Sequence, residues 1–316
     1  MAMTLTEAAK LSNDVLLKGV IETIITESQL LKHLPFIDIV GNGLTYNQEN
    51  TLPSATFYDV GDTWTESTPT FTEQTATLKI LGGDADVDEF LRQTRSNIQN
   101  LKAIVTDLKS KAIARTFEQY AIYGNSSTNS KAFNGLHALV STAQTNSADS
   151  YQVHASSSGT GSAGSIRELK QLLRMVKPGG PQFLIMSRVT RDDLSTYAES
   201  NYAPVQWKND FGTPIMHFGG VPVITTDWIT ATETNNATTE RFSAETGGAN
   251  TSILAVRFGE GELAGCQNMG IQIKDLGDLE TKDATRVRIK WYVSMALFRT
   301  CALARYDGIT AGAWGA

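Results

Sequence analysis

The chain has 316 residues with 27 basic and 33 acidic side chains, a formal net charge of −6, 41% apolar residues and 19% charged ones. Such a length fits about two domains of roughly 150 residues, and this apolar share builds a packed core rather than a disordered chain. Two cysteines, Cys266 and Cys301, cannot frame a disulfide-built fold and point to a reducing compartment, the acidic surplus argues against a nucleic-acid reader, and no run approaches the ~20 apolar residues of a membrane span.

In chain order, residues 4–34 place Leu11, Val15, Leu16, Ile21, Ile24 and Ile25 at helical spacing and stop at Pro35. This predicts an amphipathic N-terminal arm, marginal unless it lies against something. It lacks the basic region and apolar stretch of a signal peptide. Residues 34–78 contain no Lys or Arg and six acids: Asp38, Glu49, Asp59, Asp62, Glu66 and Glu73. With turn signals at 41–43 and 61–62, they read as a long β-hairpin or extended loop whose arms are 56–58 and 75–80. A lone two-stranded hairpin is barely stable in water, so it must rest on its own chain or a neighbour.

Residues 84–123 carry Val87, Leu91, Ile98, Leu101, Val105, Leu108, Ala112 and Tyr120 at helical spacing. They predict a single beam of roughly 55–60 Å. Asp84, Asp86, Asp88 and Glu89 are then helix-start acids, favoured by the dipole. Residues 125–275 read as an α/β unit, with helices at 165–177 and 191–200, buried strands at 183–186, 221–225 and 253–258, and two polar stretches, 141–164 and 231–250, expected to be mobile loops. Residues 285–305 open with Arg286, Arg288 and Lys290 alternating with Val287, Ile289 and Trp291, a strand with one basic and one buried face. From 282 to 305 six basic residues oppose the single acid Asp283. The basic strand therefore complements the acidic hairpin.

Motifs of chemistry are weak. Gly159, Gly161 and Gly164 satisfy G-x-G-x-x-G before a helix. However, Ser156–158 precede them instead of a buried strand, and no acid stands about 20 residues on. Asp84, Asp86 and Asp88 mimic the start of a calcium loop, but its positions six and twelve hold Glu89 and Arg95, not Gly and Glu. His33, His137, His154 and His217 are isolated and share no metal-ligand spacing. No catalytic, cofactor-binding or metal-binding residue is assigned. Trp64, in a polar loop, either packs on its own hairpin or anchors into another subunit; the second reading is preferred.

The order of elements, with the strings at 42–53 (NGLTYNQENTLP), 133–137 (FNGLH) and 303–309 (LARYDGI), resembles major capsid proteins of tailed bacteriophages with the Hong Kong 97-type fold. The resemblance spans almost the whole chain. It implies an α+β fold divided into an N-terminal arm (1–43), an extended β-hairpin loop (44–83), the spine helix of a peripheral domain (84–124), an axial α/β domain (125–274), peripheral strands returning to the axial domain (275–306) and a C-terminal tail (307–316). It also implies a self-assembling structural protein and no enzyme, forming hexamers and pentamers of an icosahedral shell around double-stranded DNA. The shell would be built in the host bacterial cytoplasm and become the virion capsid.

Implied partners are further copies, a portal, scaffolding and decoration proteins, and packaged DNA held without sequence preference; no cofactor or membrane is implied. Only about forty residues precede the loop, so scaffolding is expected as a separate protein or not at all. Some relatives weld subunits by Lys–Asn bonds; the loop's one lysine is Lys79 at its base, so cross-linking from the tip is not expected. The intersubunit contacts expected from the charge blocks are Asp59, Asp62, Trp64 and Glu66 in the loop with Arg286, Arg288 and Lys290 in the strand. Two alternatives stand: an encapsulin-type nanocompartment shell and, more remotely, a nucleotide-dependent enzyme using the 159–164 glycine loop.

Overall fold

A computed structural model describes residues 29–51, 53–95, 101–147, 162–201, 205–210, 213–229 and 251–315. The helical reading of residues 4–28, the glycines at 159–161, His154 and the polar stretches 148–161 and 230–250 lie outside these residues. In chain order the elements begin α1 (Gln29–His33), β1 (Phe36–Asp38), β2 (Gly43–Thr51), β3 (Thr70–Thr77), β4 (Lys79–Asp88), α2 (Glu89–Arg95), α3 (Leu101–Tyr123) and α4 (Leu136–Leu139). They continue β5 (Thr145–Ser147), β6 (Ser162–Ser165), α5 (Ile166–Met175), β7 (Phe183–Met186), α6 (Arg188–Asn201), β8 (Val205–Asp210), β9 (Thr213–Phe218) and β10 (Val221–Thr225). The last are β11 (Thr251–Val256), β12 (Leu263–Asp278), β13 (Ala284–Leu297) and β14 (Leu303–Gly315).

The strands form three sheets. The first runs β1-β12-β13-β4, the second β5-β14-β11-β7-β10-β9-β8 with β6 also on β14, and the third is the β2–β3 hairpin. The second sheet explains its own sequence. Leu184, Met186, Ile253 and Ala255 pack on the α5 and α6 side with Leu169, Leu172 and Leu194, whereas Ile185, Leu254 and Val256 face the other way, toward Phe117 and Ile122 of α3. Strands covered on both faces lose the polar half of their alternation. This is why the runs at 183–186 and 253–256 are continuously apolar.

The first sheet is covered by α3 on one face, and on the other only near its Leu263–Gln267 end, by the base of the hairpin. α3 lies against β4 and β13, and Ile113 and Phe117 meet Ile289 and Trp291 in one cluster. Phe117 and Trp291 rings stand 4.7 Å apart, and Phe36 joins them at 5.4 Å from Trp291. Trp291 donates its indole N–H to Gln267 across β12 at 3.2 Å. The alternation expected in β13 is present: Val287, Ile289 and Trp291 are buried, while Arg286, Arg288 and Lys290 are not. α3 stops at Gly124, whose N–H donates to the Tyr120 carbonyl at 2.8 Å. A side chain there would collide with the carbonyls of Tyr120 and Phe133.

Three boundaries differ from the sequence reading. Residues 84–88 belong to strand β4, with the helical residues beginning at Glu89 and the long helix α3 covering Leu101–Tyr123, roughly 35 Å at 1.5 Å per residue. β4 is held as the neighbour of β13 from Lys79↔Val293 to Asp88↔Ala284, and a ten-residue ladder outweighs a helix-start preference of fractions of a kcal/mol. Residues 56–58 belong to the hairpin's tip rather than an arm, since the arms are β2 and β3. Finally, β13 ends at Leu297 and residues 303–315, read partly as a tail, form β14 inside the second sheet.

Candidate assembly surfaces

Among the described residues, the hairpin is held at its base. β2 and β3 pair from Gly43↔Thr77 to Thr51↔Thr70, and successive side chains alternate between faces. On the inner face Leu44, Tyr46 and Ala76 meet Ile39, Cys266, Ala296 and Phe298. Tyr46 and Phe298 rings stand 4.8 Å apart, the Gln48 amide donates to the Leu297 carbonyl, and Lys79 reaches the Ser130 carbonyl at 2.7 Å. Burial in this seam raises the Tyr46 phenol above its ordinary range. Further out the support ends: Ala76 is the only buried residue of β3.

The tip, residues 53–69, is ordered by its own polar groups. Asp62 N–H donates to the Asp59 carbonyl at 3.1 Å, and the Asp59 and Val60 amides donate to the Asp62 and Asp59 carboxylates at 2.7 Å each. Gly61, at φ +97°, supplies the left-handed residue this turn needs. Trp64 stacks on Tyr58 with centroids 4.3 Å apart, and the Tyr58 hydroxyl accepts the Thr65 N–H at 3.1 Å. The ring packs on its own hairpin, and the residue stays 79% exposed. Phe57 and Val60 are completely exposed. Among the described residues, this organised turn presents Phe57, Val60 and one face of Trp64 uncovered.

Within one chain the basic strand already has acidic partners. Arg286 holds Asp86 through two bonds of 2.7 and 2.8 Å, and Arg288 holds Asp84 in the same forked way. Arg286 also approaches Asp84 at 3.6 Å. These hydrogen bonds draw the Asp84 and Asp86 carboxyls below their usual range. Lys290 donates to the Tyr292 hydroxyl at 3.2 Å and lies over its ring. Thus Asp59, Asp62, Trp64 and Glu66 sit together at the tip, whereas Arg286 and Arg288 already carry carboxylate partners from β4 of the same chain. Sequence reasoning assigned Asp84 and Asp86 to a helix start and missed that role. The signal was present: Asp84 and Asp86 alternate with apolar residues at the same period as Arg286 and Arg288.

The remaining candidates sit inside the fold. His137 is buried beside Tyr123, 4.6 Å between rings, and its Nε2 lies 3.3 Å from the Ser252 hydroxyl; burial and Arg305 push its pKa well below the ordinary value. Cys266 is buried and Cys301 half-buried, both as free thiols. Gly164 lies in β6 immediately before α5. Among the described residues no group of three or more His, Cys, Asp or Glu could hold a metal ion, and no helix is long and apolar enough to cross a membrane.

Comparison with known proteins gives one partial family match and one fold. The family model of the major capsid protein GP7 matches residues 13–167. No curated protein sequence matches the chain. Among solved structures, a chain of the holo-SrpI encapsulin complex from Synechococcus elongatus PCC 7942 is similar at TM-score 0.69 and 18% identity, covering 100% of this chain and 99% of that one. The capsid of an empty GTA particle is similar at TM-score 0.63 and 12% identity over 89% and 90% of the two chains. A chain of Mycobacterium phage Adephagia is similar at TM-score 0.59 and 13% identity over 97% and 98%. The GP7 model covers just under half of the chain, and the solved structures share its architecture, so the chain has the Hong Kong 97-type capsid fold and is similar to major capsid proteins built on it.

Proposed function

We propose that the chain is the subunit of a closed icosahedral phage head, forming hexamers and pentamers around double-stranded DNA. The observation that carries this reading is the hairpin: among the described residues, its tip exposes Phe57, Val60 and, apart from its stack on Tyr58, Trp64. A monomer gains nothing from holding such a surface in water, whereas a symmetric assembly repeats the covering contact on every copy. The division into arm (1–43), hairpin (44–83), peripheral segments (84–124 and 275–306) and axial unit (125–274) belongs to the same proposal. So do a structural rather than catalytic role, a portal, scaffolding and decoration proteins as partners, and assembly in the bacterial cytoplasm.

Asp59, Asp62, Trp64 and Glu66 are proposed as intersubunit contacts, with Lys290 as the basic group facing them. Arg286 and Arg288 contribute through the Asp84 and Asp86 pairs, which set the surface Lys290 stands on. Apolar burial supplies the cohesion, and exposed ion pairs, at about 0–1 kcal/mol each, select register.

An encapsulin-type shell enclosing protein cargo is the second reading, supported by likeness to the SrpI encapsulin complex over the full chain. The GP7 match favours the phage head. Electron microscopy of the purified protein, with nuclease treatment before extraction of the contents, tests both. Closed shells protecting double-stranded DNA are expected for the head, and shells holding protein alone indicate the nanocompartment. A protein that stays monomeric, even beside the products of its neighbouring genes, refutes both.

A further inference from the structure

The chain holds two Asn-Gly pairs, Asn42–Gly43 and Asn134–Gly135, and the fold puts them in opposite surroundings. An asparagine before glycine carries its own chemistry: the glycine nitrogen can attack the asparagine side-chain carbonyl carbon, because no Cβ crowds the approach. The attack needs a side chain that can turn and a main-chain N–H that is not already donating.

Asn134–Gly135 meets neither need. The Asn134 Oδ1 accepts the Ser126 N–H at 2.8 Å, and the Gly135 N–H donates to the Gly124 carbonyl at 2.8 Å. Gly135 is also wedged among main-chain atoms: a Cβ there would stand 2.4 Å from the Tyr120 carbonyl oxygen.

Asn42–Gly43 meets both. Asn42 is exposed, between β1 and β2, and follows Gly41, at φ +112° with open space around it. The Leu78 N–H donates to the Asn42 carbonyl at 2.9 Å, and Gly43 stands opposite Thr77. Bonded and non-bonded pairs alternate along an antiparallel ladder. With Asn42 and Leu78 bonded, Gly43 falls in a non-bonded pair and its N–H points away from β3. The Thr45 and Thr75 hydroxyls, 3.3 Å apart in the next such pair, fit that phase. The other edge of β2 has no strand beside it among the described residues, so the Gly43 nitrogen faces outward. Pairing also accounts for the glycine, since a Cβ at 43 would stand 3.0 Å from the Ala76 carbonyl oxygen.

The structure assigns Asn42 as a site of spontaneous modification at the foot of the hairpin, converted to aspartate and isoaspartate while Asn134 is preserved. The Gly43 nitrogen bonds to the Asn42 Cγ and gives up its proton, the bond from Cγ to the side-chain nitrogen breaks, ammonia leaves, and a cyclic imide remains. Water opens the imide at either carbonyl; no oxidant or reductant takes part. Both products add a negative charge to residues 34–78, which hold six acids and no Lys or Arg. In isoaspartate the main chain also runs through Cγ, and the carbonyl that holds the Leu78 N–H becomes a carboxylate on a side branch. Leu44 and Tyr46, just beyond, sit in the seam with Phe298, so the change falls where the hairpin is anchored.

The test is peptide mapping of the native subunit aged at pH 8 in heavy-oxygen water, with isoaspartate located by an isoaspartate methyltransferase. Heavy oxygen should enter at Asn42 at least tenfold faster than at Asn134, and the two rates should converge in the urea-unfolded chain. Equal native rates, or faster conversion at Asn134, overturn the assignment. So does an Asn42 that stays intact over a period in which the unfolded chain converts. The separated isoaspartate form should exchange its Leu78 amide hydrogen at least tenfold faster than the parent, whereas Asn42→Gln, which would need a larger ring, keeps the parent's rate. Unchanged exchange in the isoaspartate form overturns the effect on the hairpin's foot. These readouts use the unassembled subunit, so the shell reading stands or falls separately.

Discussion

Replacing Phe57, Val60 and Trp64 together by Ala should separate folding from assembly. All three are exposed in the lone chain, so their removal forfeits almost no native burial, and the melting temperature of the dissociated subunit should move by no more than about 1 °C. Burying such side chains fully is worth about 1.5–3 kcal/mol each, an upper sum of about 5–9 kcal/mol per tip. Association costs and incomplete cover consume much of that. If a third survives, each hairpin contributes about 2 kcal/mol, and at 1.4 kcal/mol per decade the contact weakens roughly 30-fold. The critical concentration for particle formation, read by light scattering over a dilution series, should rise by at least that factor. An unchanged critical concentration would refute the reasoning, whatever the melting curve shows. A collapsed melting temperature would refute it differently, by showing that the tip is part of the subunit's own core.

Three further outcomes are expected. Trp291→Ala removes a ring packed between Phe36 and Phe117 and should cost about 3–5 kcal/mol, lowering the subunit's thermal midpoint by roughly 5–8 °C; a shift under 2 °C would contradict the packing. Asp84 and Asp86 have carboxyls drawn down by Arg288 and Arg286, so their stabilisation is complete above the unfolded value of about 3.9 and lost as pH falls through the lower folded values. Asp84→Asn with Asp86→Asn should thus melt lower at pH 7 and lose less on going from pH 5 to pH 2 than the parent; parallel curves would remove the two ion pairs from the account. Burial lifts the Cys266 thiol to about 11, so a Cys301→Ser variant should resist a thiol-disulfide reagent at pH 8 until unfolded in guanidinium, and rapid native labelling would contradict that burial.

How much of this was legible depended on where each segment's partners lie. The runs at 183–186, 221–225 and 253–258 could be read as strands because two-sided cover leaves them mostly apolar, and 285–291 because one-sided cover left a clean alternation. The helix before residue 177 was legible from its own periodicity. β4 was not. Asp84, Asp86 and Asp88 suit a helix start and a charged strand face equally well, and the arginines that decide between them lie about 200 residues away. The arms of the hairpin were misplaced because β2 is rich in Asn, Gln and Thr, weak strand formers apart from Thr; its register is set by Tyr46 meeting Phe298, a tertiary contact.

The candidate surfaces divided the same way. Trp64 stood out as an aromatic in a polar loop, and the acidic run stood out by composition. That Arg286 and Arg288 spend their forks on β4 could be seen only once β4 was known to be a strand.

The most direct measurement is cryo-electron microscopy of the assembled particle at side-chain resolution. The account predicts closed shells in which density for residues 53–69 of every copy lies across another copy, with Trp64 covered there. It is contradicted by a protein that remains single, or by particles in which each tip lies back along the chain it came from.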